Sequence, residues 1–582
     1  VLDGHPELAA KGFYMVKRIA FEPMQATFHL DEVSDKIVWA AKYPLYMPYR
    51  GDFFVDYEKM EPVPFSEKTV EYSLCKEEVL YIFCVKDAFE GAHSTHNCCK
   101  ISKDINIMDA RAVRRFIDLC YEPIVQAIPD AYSRAIGIFT DEPSLQTSYA
   151  RPYSTWNWAL APWVDGLFEE YEKMWGESLL PNLPLIFEGT GDKYPPIRVK
   201  FYELVGALIA RAFSGQLSEW CEAHGGIFSG HYLLEEQICQ HVMQYGNYLR
   251  VLMAATYPGI DVLYGHPEAF EYTAMKYAQM AVRKKHTDGM MLEFCPLVRK
   301  EDFEKNYSDN TKVALSTLYM GGVRHTQTYF QPTDPVECTK INEYIGRVSV
   351  MLEGLHNDCD TFIYYPLEDV QAKERPRHAE SWEWWDRNTA SCADVRMREL
   401  VPAVFEGGHD FYMIDREDLA EAVRTLSECG VPTISGNRVK NVIVPGVHYI
   451  YREAMEMLGV LKEAGVRVFF SGAVPSLDVM TAQVIEHSYQ FSSLEEILLA
   501  LDAEDTYPIR EADGSRALLR SKYLTEDGRV LYMLINRTRA DVQAVFRGAD
   551  AAELWNPEDG TQSALDAGDA FTVPAMRTLF VY

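Results

Sequence analysis

The middle of the chain alternates short apolar runs rich in β-branched and aromatic residues with longer amphipathic stretches, and this constrains the fold more than any other feature. Ala135–Thr140, Gly226–Ser229, Ile260–Tyr264, Gly289–Phe294 and Val323–Phe330 read as strands. Between and around them, Arg198–Ala223, Gln237–Ala255, Tyr272–Lys285, Asn310–Met320 and Lys340–Leu355 carry helical patterning. Strand–helix repeats of this kind bury a parallel sheet under helices. Val79–Val85 (VLYIFCV), followed by a helix over Asp109–Val125, reads as an earlier member, which makes six strands. A closed (β/α)8 barrel of the TIM type needs eight. The simplest repair places the first two strands upstream of Val1; an open sheet is the competing reading. Phe21–Ser73, rich in Pro, Tyr and acidic residues, reads as an excursion hung on the barrel.

After Asp360 the pattern changes. Asp360–Pro366, His409–Ile414, Asn441–Gly446 and Val466–Gly472 are strand candidates, and helix Tyr451–Ala464 joins the last two. This is a smaller doubly wound α/β unit. From about Arg516, short alternating strands with turns at Glu526–Gly528 and Asn556–Gly560 fit a small β-sandwich. The expected organisation is therefore a barrel over 1–355, an α/β unit over 356–490, and a linker with the sandwich over 491–582.

The 582 residues carry a net charge of −30, a sign that disfavours nucleic acid and anionic lipid as partners. No apolar segment approaches the ~20 residues needed to cross a bilayer. The 12 cysteines include the adjacent pair Cys98 and Cys99 and no CxxC spacing, so neither a disulfide framework nor a zinc ligand set is legible. Reduced thiols and a cytoplasmic location are the expectation, although an opening at Val1 rather than Met leaves room for an upstream segment.

In a parallel barrel, chemistry sits on the loops after the strands, so acids directly behind apolar runs are the candidates. Glu142 follows Gly137-Ile-Phe-Thr-Asp-Glu, and Pro143 stops the strand. The bland alternative is that Asp141 or Ser144 caps a helix. Glu293 lies inside Met-Met-Leu-Glu-Phe, where a buried charge needs a partner or a task. There the alternative is a buried ion pair. Two such carboxyl groups flanking an anomeric carbon are what glycosidic bond cleavage requires.

Around them, Asp141, His231, Glu235, Tyr264, His266, His325 and Gln327 stand where a substrate's hydroxyls would be bound, as does Trp156 in the Trp156, Trp158 and Trp163 cluster. His231 and Glu235 are four apart and share a face if that segment is helical. They lack the second His of a zincin motif, so hydrogen bonding outranks a metal, and no cofactor is required. The α/β unit resembles the core of class I glutamine amidotransferases but has no Cys at a strand-end elbow: Gly446 is followed by Val447 and His448. It reads as a structural or homo-oligomerisation element. A non-catalytic carbohydrate-binding scaffold on a degenerate barrel is the rival to an enzyme.

FTDEPS with the upstream DARAVRRFIDLCYEPI, then SGHYLLEE, PGIDVLYGHP, MMLEF and GGVRHTQTYF, resemble α-L-rhamnosidase-like barrel hydrolases of glycoside hydrolase family 106. There is wider similarity to clan A enzymes such as β-galactosidases. The resemblance covers roughly Val1–Phe330. It implies a carbohydrate substrate, with Glu142 as the strand-four acid and Glu293 as the strand-seven carboxylate. Clan A similarity implies retention with Glu293 as nucleophile and Glu142 as acid/base; rhamnosidase similarity implies inversion, often with bound calcium. The chain departs from the pattern after Glu293, where Cys295-Pro296 replaces a Gly-rich turn.

Overall fold

A computed structural model describes residues 1–46, 53–87, 103–145, 159–189, 193–263, 270–295, 300–328, 334–376, 391–525 and 527–582. Its N-terminal part is antiparallel. Lys11–Ala20 pairs with Glu78–Asp87 on one side and Ala161–Trp163 on the other, and Lys36–Tyr46 extends the sheet beyond Glu78–Asp87. Met24–His29 and Thr69–Leu74 form a separate hairpin-like pair. The run Val79–Val85 therefore belongs to this sheet, not to a parallel barrel, and Phe21–Ser73 supplies strands of the same region rather than an excursion.

The reason lies in burial on both faces. Val79, Tyr81, Phe83 and Val85 face the main core, while Leu80, Ile82 and Cys84 face a smaller core with Tyr14 and Val16. A strand covered on both sides reads as an unbroken apolar run whether its neighbours run parallel or antiparallel.

The parallel series has five strands among the described residues. Gly137–Thr140 pairs with Ile227–Gly230, and Gly259–Val262, Met290–Phe294 and Val323–Thr328 pair in that order. The two groups meet where Tyr257 N–H donates to the Phe228 carbonyl (3.1 Å). Gly230, at φ +148°, permits a close approach: a Cβ there would lie 2.2 Å from the Thr140 carbonyl oxygen. Only glycine lets these strand ends converge, and the residues that follow them are Asp141, Glu142 and His231.

A four-stranded parallel sheet follows, in the order Tyr412–Ile414, Thr361–Tyr364, Asn441–Pro445, Arg467–Ser471. One face, with Ile363, Met413 and Ile443, joins the main core under helix Ser391–Glu406. The other, with Phe362, Tyr364, Val442 and Val444, is covered by helices Arg416–Cys429 and Arg452–Glu463. The C-terminal part consists of two antiparallel sheets, of three and five strands, whose inward side chains share one core. Among the described residues no helix is long and apolar enough to cross a membrane.

These parts meet at a buried polar knot. Lys276, on helix Thr273–Lys285, is fully buried between the rings of Phe405 and Phe411 and contacts Asp410 Oδ1 at 2.5 Å. Asp410 Oδ2 accepts from Asn357 Nδ2 (2.8 Å) and from the Ser521 hydroxyl of the C-terminal sheet. Removing one partner strands the other charge away from water. Lys276→Met is therefore expected to cost about 3–5 kcal/mol, while the Lys276→Met/Asp410→Leu pair regains most of it. Denaturant midpoints of the two variants check this; equal losses would contradict it.

Candidate functional site

Strand polarity brings the acids together. Asp141 and Glu142 follow Gly137–Thr140 directly, and His231 follows Ile227–Gly230. Asp261, Glu293 and Gln327 occupy one level across the three adjacent strands, since Asp261 pairs with Glu293 and Glu293 with Gln327. All lie toward the carboxyl ends of their strands, the end at which parallel α/β folds build their sites. No helix begins at Asp141 or Ser144 among the described residues, so neither acts there as a helix cap.

His231 is the hub. Its side chain is 3% exposed, and Nε2 stands 3.1 Å from Asp141 Oδ1 and 3.2 Å from Glu293 Oε2. Those two contacts are ion pairs without good hydrogen-bond alignment at Nε2. Glu142 and Asp261 approach the same imidazole, with donor atoms of the three residues all within 4.8 Å of one another. Glu142 and Glu293, remote in sequence, thus converge on one side chain. Glu142 also has left-handed backbone, φ 44°, a conformation that costs a non-glycine residue on the order of 1 kcal/mol or more.

The charges follow from burial. Desolvation opposes a proton on His231, but contact with Asp141 and Glu293 and the fields of Glu235 and Asp261 outweigh it, so its pKa lies well above the usual imidazole value. His231 is the cation of the cluster. Burial pushes Asp261 up to about 7; the His231 charge opposes this, and Glu293, Glu142 and Asp141 add to it.

Glu235 holds the floor. The segment after His231 is a turn with Leu234 left-handed (φ 57°), not a helix, so His231 and Glu235 share no helical face. Instead the Glu235 carboxylate folds back to accept the N–H groups of Tyr232 (3.0 Å) and Asp261 and the Tyr248 hydroxyl (3.3 Å). Burial raises its pKa to about 8. Beneath it, His241 Nε2 donates to the Glu235 carbonyl (2.7 Å), which leaves Nδ1 to accept from the Tyr365 hydroxyl (2.6 Å). Burial pushes His241 down to about 3, so this second histidine is neutral.

The structure brings together Asp141, Glu142, His231 and Glu293, with Glu235 behind and Gln327 level with Glu293. It does not bring His325 to them: that residue is two positions nearer the strand entry, with its ring 5.4 Å from Tyr257. Arg324 likewise sits at the entry. Trp163 is a buried strand residue against Phe13 and Phe168, not a sugar platform. Tyr264, His266, Trp156 and Trp158 lie outside the described residues, as do Cys98 and Cys99. Sequence reasoning missed Asp261, although it carries the same signal as Glu293, an acid inside an apolar strand.

The donor set does not suit calcium. That ion takes six to eight oxygen ligands. Each close trio here offers two carboxylates and the His231 imidazole, a set with fewer oxygens than calcium takes.

No family model matches the chain, and no curated protein matches it. Solved structures share its fold. A rhamnosidase from Novosphingobium sp. PP1Y aligns at 14% identity and TM-score 0.61, covering 97% of this chain and 64% of that chain. A β-galactosidase from Rahnella sp. R3 aligns at 9% identity and TM-score 0.52, covering 83% of each chain. An exo-carrageenase of the GH42 group from Bacteroides ovatus aligns at 12% identity and TM-score 0.50, covering 77% of this chain and 66% of that one. The chain thus spans just under two thirds of the length of the Novosphingobium rhamnosidase, and what it shares with these glycoside hydrolases is a mixed α/β architecture.

Proposed function

We propose that the chain is a glycoside hydrolase that cleaves a carbohydrate substrate, on a barrel of which the five parallel strands are part. The observation that carries this reading is the convergence of Glu142 and Glu293 on His231 at the carboxyl ends of the strands. Acetal cleavage needs a proton for the departing oxygen and a carboxylate to face the cationic anomeric centre. Glu142 is assigned as acid/base and Glu293 as nucleophile or base. Neutral Asp261 between them is a hydrogen-bond donor to the sugar. His231 balances the clustered carboxylates so that they share one pocket without expelling each other's charge. Substrate class at the level of rhamnoside or galactoside follows only from the similar folds and belongs to the same proposal.

Two measurements test it. On whichever aryl glycoside of a panel the protein hydrolyses, Glu142→Gln and Glu293→Gln are each expected to lower kcat by about 10²–10⁴, the range for losing a positioned acid or base. Both variants should keep the wild-type unfolding midpoint to within a few degrees. Full activity in both would remove the assignment. The second measurement is the pH profile. Because Asp261 loses its proton near pH 7, kcat/KM should fall as pH rises through that value. Asp261→Asn, a donor at every pH, should flatten this limb. An alkaline limb unchanged in that variant would rule out the role given to Asp261.

A further inference from the structure

At the opposite end of the strands from Glu293 lies a separate cavity of about 100 Å³, bounded by the turns that lead into Met290–Phe294 and Val323–Thr328. Gly289 and Glu293 are four residues apart along the strand, about 13 Å at the usual rise. The lining includes Arg324, His286, His356, Asp288, Ser435 and Asn437. In a chain of net charge −30, a cavity lined by four basic side chains and one acid is out of character, although one of the four, Arg283, is paired with Asp418.

Arg324 has an unusual set of partners. Nη1 donates to the carbonyls of Tyr319 (2.9 Å) and Val323 (2.7 Å), and Nη2 donates to that of Leu355 (2.9 Å). Those bonds use three of the five guanidinium N–H groups. Nε, which shares an edge of the guanidinium with Nη2, is buried with no partner. Among the described residues Arg324 makes no ion pair with a carboxylate. Gly289 holds the side chain in place by omission, because a Cβ there would lie 2.3 Å from Arg324 Cγ. Burial pulls the Arg324 pKa below its usual value, as expected for a guanidinium lacking a counter-ion. At the mouth, His286 and His356 are exposed, and burial of its ring, followed by the positive charges of Arg324 and His286, lowers the His356 pKa. Asp288 is also exposed and opposes this field from the rim.

We propose that this cavity is a binding site for a small oxyanion, a carboxylate or phosphate group. Its oxygens would take the Nη2 hydrogen of Arg324 that Leu355 leaves free, with His286, His356 and the polar groups of Ser435 and Asn437 around the rest. A guanidinium N–H and an anionic oxygen form a charge-assisted hydrogen bond, stronger than a neutral one. The volume admits an anion of a few heavy atoms and excludes an oligosaccharide, so the site is distinct from the proposed cleavage centre. It does not depend on that function.

Inorganic phosphate and sodium acetate, each added against sodium chloride at matched ionic strength, are the probes. A ligand that binds only the folded chain raises the unfolding temperature by mass action. Phosphate, acetate or both should raise the wild-type midpoint in a saturable manner, and the probe with the lower Kd tells phosphate from carboxylate. Arg324→Met should weaken binding about tenfold or more, the loss expected for a charge-assisted hydrogen bond. His356→Asn, at the exposed mouth, should weaken it without unfolding the chain and decides the matter if Arg324→Met does not fold. No saturable rise with either probe overturns the proposal. So does an unchanged Kd in His356→Asn together with an unchanged Kd in any folded Arg324→Met protein.

Discussion

A buried imidazolium surrounded by carboxylates organises this molecule's candidate site. Asp141 and Glu142, Asp261, and Glu293 come from three strands, and like charges brought this close would drive the loops apart or force their protons back on. His231 resolves the conflict with one positive charge, 3% exposed, in contact with Asp141 and Glu293. The backbone is arranged around that need. Gly230 closes the gap to Thr140, Leu234 turns left-handed so that Glu235 folds under Asp261, and Glu142 accepts a strained φ. The two histidines of the region divide the labour by environment alone: carboxylates hold His231 charged, whereas His241, offered a carbonyl and a phenol, stays neutral.

Elsewhere in the scaffold, buried charges on one helix are paired. Lys276 with Asp410 and Arg283 with Asp418 tie helix Thr273–Lys285 to the neighbouring four-stranded sheet. Both cations face carboxylates, although Arg283 Nε is left without a partner. Arg324 is different, since its partners are carbonyls and part of its donor capacity is unspent.

Much of the site was legible because strand-end acids leave a local trace. Glu142 announces itself by a following proline, and Glu293 by its apolar neighbours. Asp261 carries the same trace in Gly-Ile-Asp-Val, an acid among apolar strand residues. The antiparallel N-terminal sheet was illegible for a different reason. Val79–Val85 is apolar on both faces because a second small core sits behind it, and nothing within seven residues reveals which way its neighbours run. The turn at Leu234 was hidden too, since a leucine gives no sign of left-handed backbone and the spacing of His231 and Glu235 imitates a helix. Trp163 shows the reverse error: an aromatic close to the site in sequence was absorbed by packing on Phe13.

The central claim is that Glu142 and Glu293 flank the bond that is broken. A crystal structure of the Glu142→Gln variant with an uncleaved glycoside bound tests it most directly. The expected result is a sugar whose anomeric carbon lies between position 142 and Glu293, with a ring hydroxyl within hydrogen-bond reach of Asp261 and His231 behind the carboxylates. A glycoside seated elsewhere on the molecule, touching neither acid, would contradict it.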